Sequence, residues 1–224
     1  MIMGELNCVA DENTNCEECE LNGQLLCRFE SSYANKFTVL NAIYRILACG
    51  ILILGGLLTQ TWWPLILYAI TNILNFLLIE PWLLCPHCPY YQKEGKSLKC
   101  WALRGMPKIR KNQPGPMSKI EQLMMLLIGG FIDLFAFGMW IFYMVLYFVI
   151  KEENVVILLG LIVVGVIFLG LMLLLNNLLQ GGACKKCPNF ACPMNKTPKE
   201  HFQIFLARDQ NRMMKTAWEK EKRV

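Results

Sequence analysis

Ten of the eleven cysteines in this 224-residue chain lie outside its long apolar runs, and they fall into three groups. Cys8, Cys16, Cys19 and Cys27 stand near the N-terminus, Cys85, Cys88 and Cys100 in the middle, and Cys184, Cys187 and Cys192 near the end. The first group is spaced C-x7-C-x2-C-x7-C. Four thiolates around a C-x-x-C suit tetrahedral Zn or an iron-sulfur cluster: soft sulfur stabilises both, and the C-x-x-C turn lets two sulfurs reach one centre. The middle group, Cys85-Pro86-His87-Cys88-Pro89 followed by Cys100, offers three sulfurs. A fourth ligand must then come from another segment, water or substrate, and an open coordination position marks a working site rather than a closed structural one. His87, inside the C-x-x-C, is expected to point away from a metal shared by its neighbours.

The last group reads C-x2-C-x4-C-P, with His201 nine residues after Cys192. Its compact spacing and trailing proline are similar to those of bacterial ferredoxins without matching them, and His201 offers the alternative of a Cys3His zinc site. Six cysteines from the last two groups could also share one centre.

Four apolar runs position these thiols: about 37–59, 63–79, 119–150 and 154–179. Each is long enough, at ~1.5 Å of rise per residue, to cross a ~30 Å hydrocarbon core or nearly so. Backbone groups in lipid need internal hydrogen bonds, and the runs do not alternate as barrel strands would, so they are expected to be helices. The expectation is an all-α integral membrane protein in contact with a lipid bilayer. Its segments are an acidic arm (1–36), a helical hairpin (37–80), a basic loop (81–118), a second hairpin (119–180) and a tail (181–224).

Local signals mark the ends of these runs. Thr59 to Pro64 make a short turn with Trp62 and Trp63 at interfacial depth. Glu80 and Pro81 are expected to end the second helix, Ser118 and Glu121 to cap the third, and Gly181 and Gly182 to stop the fourth. Thr197-Pro198-Lys199-Glu200 reads as a capping box opening one helix to about Lys220. No apolar stretch precedes residue 37, so a cleaved signal peptide is not expected.

Two runs separate each cysteine group from the next, so all ten thiols return to one side. The loop carries seven Lys and Arg and the tail ten, against Lys151 alone on the opposite side. The positive-inside rule therefore puts both termini and the loop in the cytosol. In that reducing compartment a dense cysteine pattern argues for metal or redox chemistry rather than disulfides. The arm holds seven acids and two bases, while loop and tail are basic, which favours their docking into one small cysteine-rich cytosolic domain.

Polar residues within the spans add a second site. Arg45, Asn72 and Asp133, with Asn41 and Asn75 nearby, are costly in lipid and are expected to pair, to line a cavity, or to hold a ligand such as a quinone. A structural Arg45–Asp133 pair is the plainer alternative. Cys49 and the nine glycines of the spans read as packing residues.

Both histidines lie outside the spans, which excludes a bis-His haem between them. No phosphate-binding glycine loop, H-E-x-x-H or G-x-S-x-G motif is present. Vitamin K epoxide reductase-type enzymes also have four helices, but they need a cysteine pair across the membrane, and none lies there. The reading is a metal-binding membrane protein holding iron-sulfur or Zn through Cys8, Cys16, Cys19, Cys27, Cys85, Cys88, Cys100, Cys184, Cys187 and Cys192. It exchanges electrons with a quinone or a partner subunit, or works as a homo-oligomer. A zinc-stabilised scaffold of a larger complex is the alternative, and a small transporter with a cysteine gate a weaker one. Nucleic acid is disfavoured as a partner, and no reaction is assigned.

Overall fold

The computed structural model describes residues 19–27, 31–92, 95–98, 100–150, 153–207 and 212–221, so Cys8 and Cys16 lie outside the described residues. It is all-helical, at 72% helix with no strands among those residues. The helices are α1 (Ser31–Thr59), α2 (Trp63–Leu74), α3 (Glu80–Leu83), α4 (Lys119–Val149), α5 (Val155–Asn177), α6 (Cys184–Lys186), α7 (Lys199–Ala207) and α8 (Arg212–Glu221). Four continuous helical stretches are long and apolar enough to cross a membrane: Ala34–Thr59, Trp63–His87, Lys119–Val149 and Val155–Lys186.

α1 is the hub, packing most extensively on α5 and α4 and then on α2. Tyr44, Ala48, Ile51 and Leu52 face inward from it at helical spacing. They meet Tyr68 of α2, Ile132, Ala136 and Tyr143 of α4, and Leu161, Phe168 and Leu175 of α5. Cys49 packs against this core, as a small apolar residue would. The outer faces carry large apolar side chains, with Ile46 68%, Leu134 66% and Val156 77% exposed. A surface of that kind is stable only against lipid or another apolar partner.

The second and fourth spans run on past their expected ends. Pro81 lacks an N–H and crowds the carbonyl four residues back, which ordinarily stops a helix. Here the turn Asn75–Ile79 widens to π geometry, so that the Glu80 N–H reaches Asn75 O and α3 starts with Pro81 in its first turn. Gly181 and Gly182 are likewise absorbed into a π segment, Leu178–Ala183, and the Cys184 N–H bonds back to Leu179 O. The helix stops only at Cys187, whose backbone is extended. Both wide turns lie just before a cysteine pair and carry Cys85 and Cys184 out on helical backbone.

Other boundaries match the sequence pattern. Ser118 and Glu121 form the reciprocal capping box of α4. Asn154 caps α5 through Val156 N and Ile157 N. The tail differs: α7 and α8 pack on each other, with the Phe202 and Trp218 rings 4.9 Å apart. Sixteen residues of straight helix would hold those rings ~24 Å apart, so the chain doubles back. The Thr197 hydroxyl, expected as a helix cap, instead donates to Cys187 O at 3.0 Å and lies 3.4 Å from Cys184 O.

Candidate thiol cluster and intramembrane polar site

The start of α1, the end of α3, the start of α4 and the end of α5 lie beside three small cores built from the arm, the loop and the tail. The largest joins Leu21 and Leu25 of the arm, Cys88, Tyr90 and Trp101 of the loop, and Ala183, Phe205 and Met214 of the tail. Cys19, Cys27, Cys100 and Cys187 pack against it. Five cysteines from three segments, more than 150 residues apart along the chain, thus share one apolar cluster. Cys85 sits in an adjoining core with Tyr91, Leu98 and Leu103.

Hydrogen bonds fix the arm on this cluster. Leu26 N donates to Lys186 O at 2.7 Å, and the Tyr90 hydroxyl donates to Leu26 O. Tyr90 therefore ties the arm to the loop, while the arm's backbone ties it to the tail. In the loop, Leu98 N–Met106 O and Lys108 N–Lys96 O bonds close a short hairpin that presents Cys100, with Gly105 at φ 81° making its turn. In the tail, Asn195 Nδ2 donates to Cys187 O at 2.8 Å and to Asn189 O at 2.9 Å. Tyr90 and Asn195 were not marked by motif spacing, and Thr197 was marked only as a helix cap. Their role is to shape backbone around the thiols, and no ligand pattern signals it.

Burial pushes the Cys88 thiol well above its ordinary range, with Cys100 and Cys187 close enough to add to the effect. Burial also raises Cys100 and Cys187, and it lifts Cys192 to about 11. Without metal these groups are neutral thiols, so any ion they take must displace protons. Among the described residues, no three His, Cys, Asp or Glu side chains stand close enough together to hold one ion. The thiols converge as a group without being drawn onto a common point.

Neither histidine forms a three-ligand group with them among the described residues. His87 is buried, with Nδ1 2.8 Å from Gly115 O and Nε2 3.8 Å from Glu121. Its ring faces the chain ahead of α4. Glu121 also accepts from Arg110 Nη1 at 2.9 Å and from Ser118 N at 2.9 Å. It joins loop and α4, and Glu121→Ala is expected to cost about 1–3 kcal/mol, read as a lowered unfolding temperature in detergent with metal content unchanged. His201 lies on α7 with Nδ1 sheltered and without a hydrogen-bond partner.

The intramembrane residues form a second constellation. Arg45 donates from Nε to Asn41 Oδ1 at 2.9 Å and from Nη1 to Asn72 Oδ1, and its guanidinium lies 4.6 Å from the centre of the Phe76 ring. Asn72 donates in turn to Tyr68 O at 2.8 Å. Asp133 accepts from the Tyr44 hydroxyl at 3.3 Å and is exposed on the bundle's outer face. No ion pair joins Arg45 to Asp133 among the described residues; neutral amides hold the cation instead. Asn75, nearer the thiols, donates to Glu80 at 2.6 Å.

No protein-family model matches this chain, and no curated protein or solved structure is similar to it at a significant level.

Proposed function

We propose that the chain is a membrane-embedded metal–thiolate protein that holds iron-sulfur or Zn through cysteines on the cytosolic side and passes electrons to or from a quinone or a partner subunit. The observation that carries this reading is the convergence of Cys19, Cys27, Cys88, Cys100 and Cys187 on one buried cluster at the end of the helical bundle. On the spacing of the arm alone, we propose Cys8 and Cys16 as further donors. The polar residues retained inside the spans favour a working redox module over a passive anchor, because such groups are expensive in lipid. Burial of the thiols among Tyr90, Trp101 and Phe205 supports a second reading, a closed zinc site that stabilises a docking domain.

Protein purified anaerobically without chelators is expected to carry at least one Zn or Fe per chain. Brown charge-transfer absorption assigns the redox role, whereas colourless protein containing Zn assigns the scaffold. A folded, metal-free preparation overturns both. Sidedness is tested separately in intact cells. An impermeant maleimide should label a cysteine added by Glu153→Cys while the native cysteines stay unlabelled until lysis. Labelling of wild-type protein in intact cells reverses the orientation and removes the reducing-compartment argument.

A further inference from the structure

We infer that one four-sulfur metal centre is built by Cys88 and Cys100 of the loop together with Cys187 and Cys192 of the tail. This rests on the metal–thiolate reading above and assigns its ligands. The backbone around these four singles them out. The Cys100 sulfur accepts from Ala102 N at 3.4 Å. Cys88 likewise accepts from the Tyr90 N–H, Cys187 from the Asn189 N–H and Cys192 from the Met194 N–H, so each sulfur is met by the amide two residues on. Cys85 and Cys184, which open the two C-x2-C pairs, show no such bond among the described residues. A neutral thiol is a weak acceptor, whereas a thiolate takes an N–H as a charge-assisted bond. Amides turned onto buried sulfurs therefore favour the anionic form that a metal needs, against the burial that opposes it.

The four also share one neighbourhood. Cys88 belongs to the apolar core against which Cys100 and Cys187 pack, and its sulfur lies within electrostatic reach of both. Cys192 is within the same reach of Cys187. The tail turn holds that pair, since Asn195 Nδ2 donates to both Cys187 O and Asn189 O, and Cys192 N donates to Asn189 O at 3.2 Å. The loop hairpin closed by Leu98 N and Met106 O holds Cys100. Among the described residues no three ligands already stand within one ion's reach, so an incoming ion must draw the sulfurs together as it displaces their protons. Thiolates around a divalent ion leave a net negative charge, and in an apolar core these N–H donors offset it.

Full-length protein, reduced and stripped of metal in detergent, is titrated anaerobically with Co2+ alone, whose sulfur charge-transfer and tetrahedral visible bands report the thiolates bound. Wild type is expected to take up a single Co2+ with an all-sulfur tetrahedral spectrum. Cys88→Ser, Cys100→Ser, Cys187→Ser and Cys192→Ser should each weaken binding about a hundredfold and lower the charge-transfer intensity by about a quarter. Cys27→Ser, Cys85→Ser and Cys184→Ser should keep the wild-type spectrum. A second readout needs no variant: wild type is alkylated with N-ethylmaleimide with and without Zn2+, and the labelled peptides are mapped by mass spectrometry. Zn2+ should slow labelling of the four ligands about tenfold and leave Cys27, Cys85 and Cys184 unchanged. A wild-type spectrum in any of the four ligand variants, or protection of Cys27 or Cys85 in place of Cys192, overturns this assignment and leaves the metal reading standing on other ligands. A wild-type protein that gives no thiolate spectrum with Co2+ and no Zn2+ protection overturns both.

Discussion

Gly55→Ala and Gly165→Ala are each expected to destabilise the protein by about 2–4 kcal/mol, whereas Gly138→Ala and Gly170→Ala should be neutral or stabilising by up to ~1 kcal/mol. A methyl on Gly55 would sit 1.9 Å from the Tyr143 ring, a side chain 1% exposed in the bundle core. At Gly165 it would sit 2.0 Å from Trp140 Nε1, which donates to Leu161 O at 2.9 Å and so binds α4 to α5. Neither ring can retreat without opening the interior, and the second substitution also breaks a hydrogen bond. Gly138 and Gly170 have nothing within 4 Å, so there the methyl only restricts the unfolded chain and favours helix. Unfolding in mixed detergent micelles, followed by circular dichroism, measures the difference. Equal effects at all four positions would mean that these helices do not pack in this arrangement.

The second large effect concerns metal. Cys88→Ser and Cys187→Ser come from different segments, yet each is expected to remove most of the bound metal, because both thiols belong to one buried cluster. Serine keeps the size but replaces a soft sulfur with a hard oxygen, so ligation fails while packing is largely retained. Cys49→Ser should keep full metal content, since that side chain packs in the bundle core rather than in the cluster. Metal per chain is measured on anaerobically purified protein, with helical content recorded to show that the variants fold. Full loading of both Cys88→Ser and Cys187→Ser would place the metal elsewhere and leave the convergence as packing.

Much of the scaffold was legible because lipid leaves the backbone few choices. Apolar runs of this length must be helical, and the four that the composition marks are the four stretches able to span. The Ser118 and Glu121 cap was readable for the same local reason, since its two bonds close within one turn. Ends that depend on neighbours were not. Glu80-Pro81 and Gly181-Gly182 resemble stop signals, but a π turn accommodates each pair inside helices that continue into the end cores. The tail pattern fitted a single long helix, yet Phe202 and Trp218 find each other only when the chain folds back. Nine glycines looked alike as packing residues. Only at Gly55, Gly56, Gly160 and Gly165 would an added Cβ meet a neighbour within 3.4 Å, while Gly129, Gly130, Gly138 and Gly170 face open space.

The sequence by itself determined the helical class and the four stretches able to span, because hydrogen-bond satisfaction in lipid is a property of the chain alone. Which thiols meet was decided only by tertiary structure. The C-x-x-C spacings suggest pairs within each segment, but apolar burial of Leu21, Tyr90, Trp101 and Phe205 draws Cys19, Cys27, Cys88, Cys100 and Cys187 together across three segments. The same holds in the membrane. Arg45 and Asp133 looked like natural partners by charge, yet Arg45 bonds to Asn41 one turn back on its own helix, and the rotation of α1 against α2 and α4 gives it Asn72 and gives Asp133 to Tyr44. Helix rotation is set by how side chains interdigitate over the whole interface, so no local spacing could have announced it.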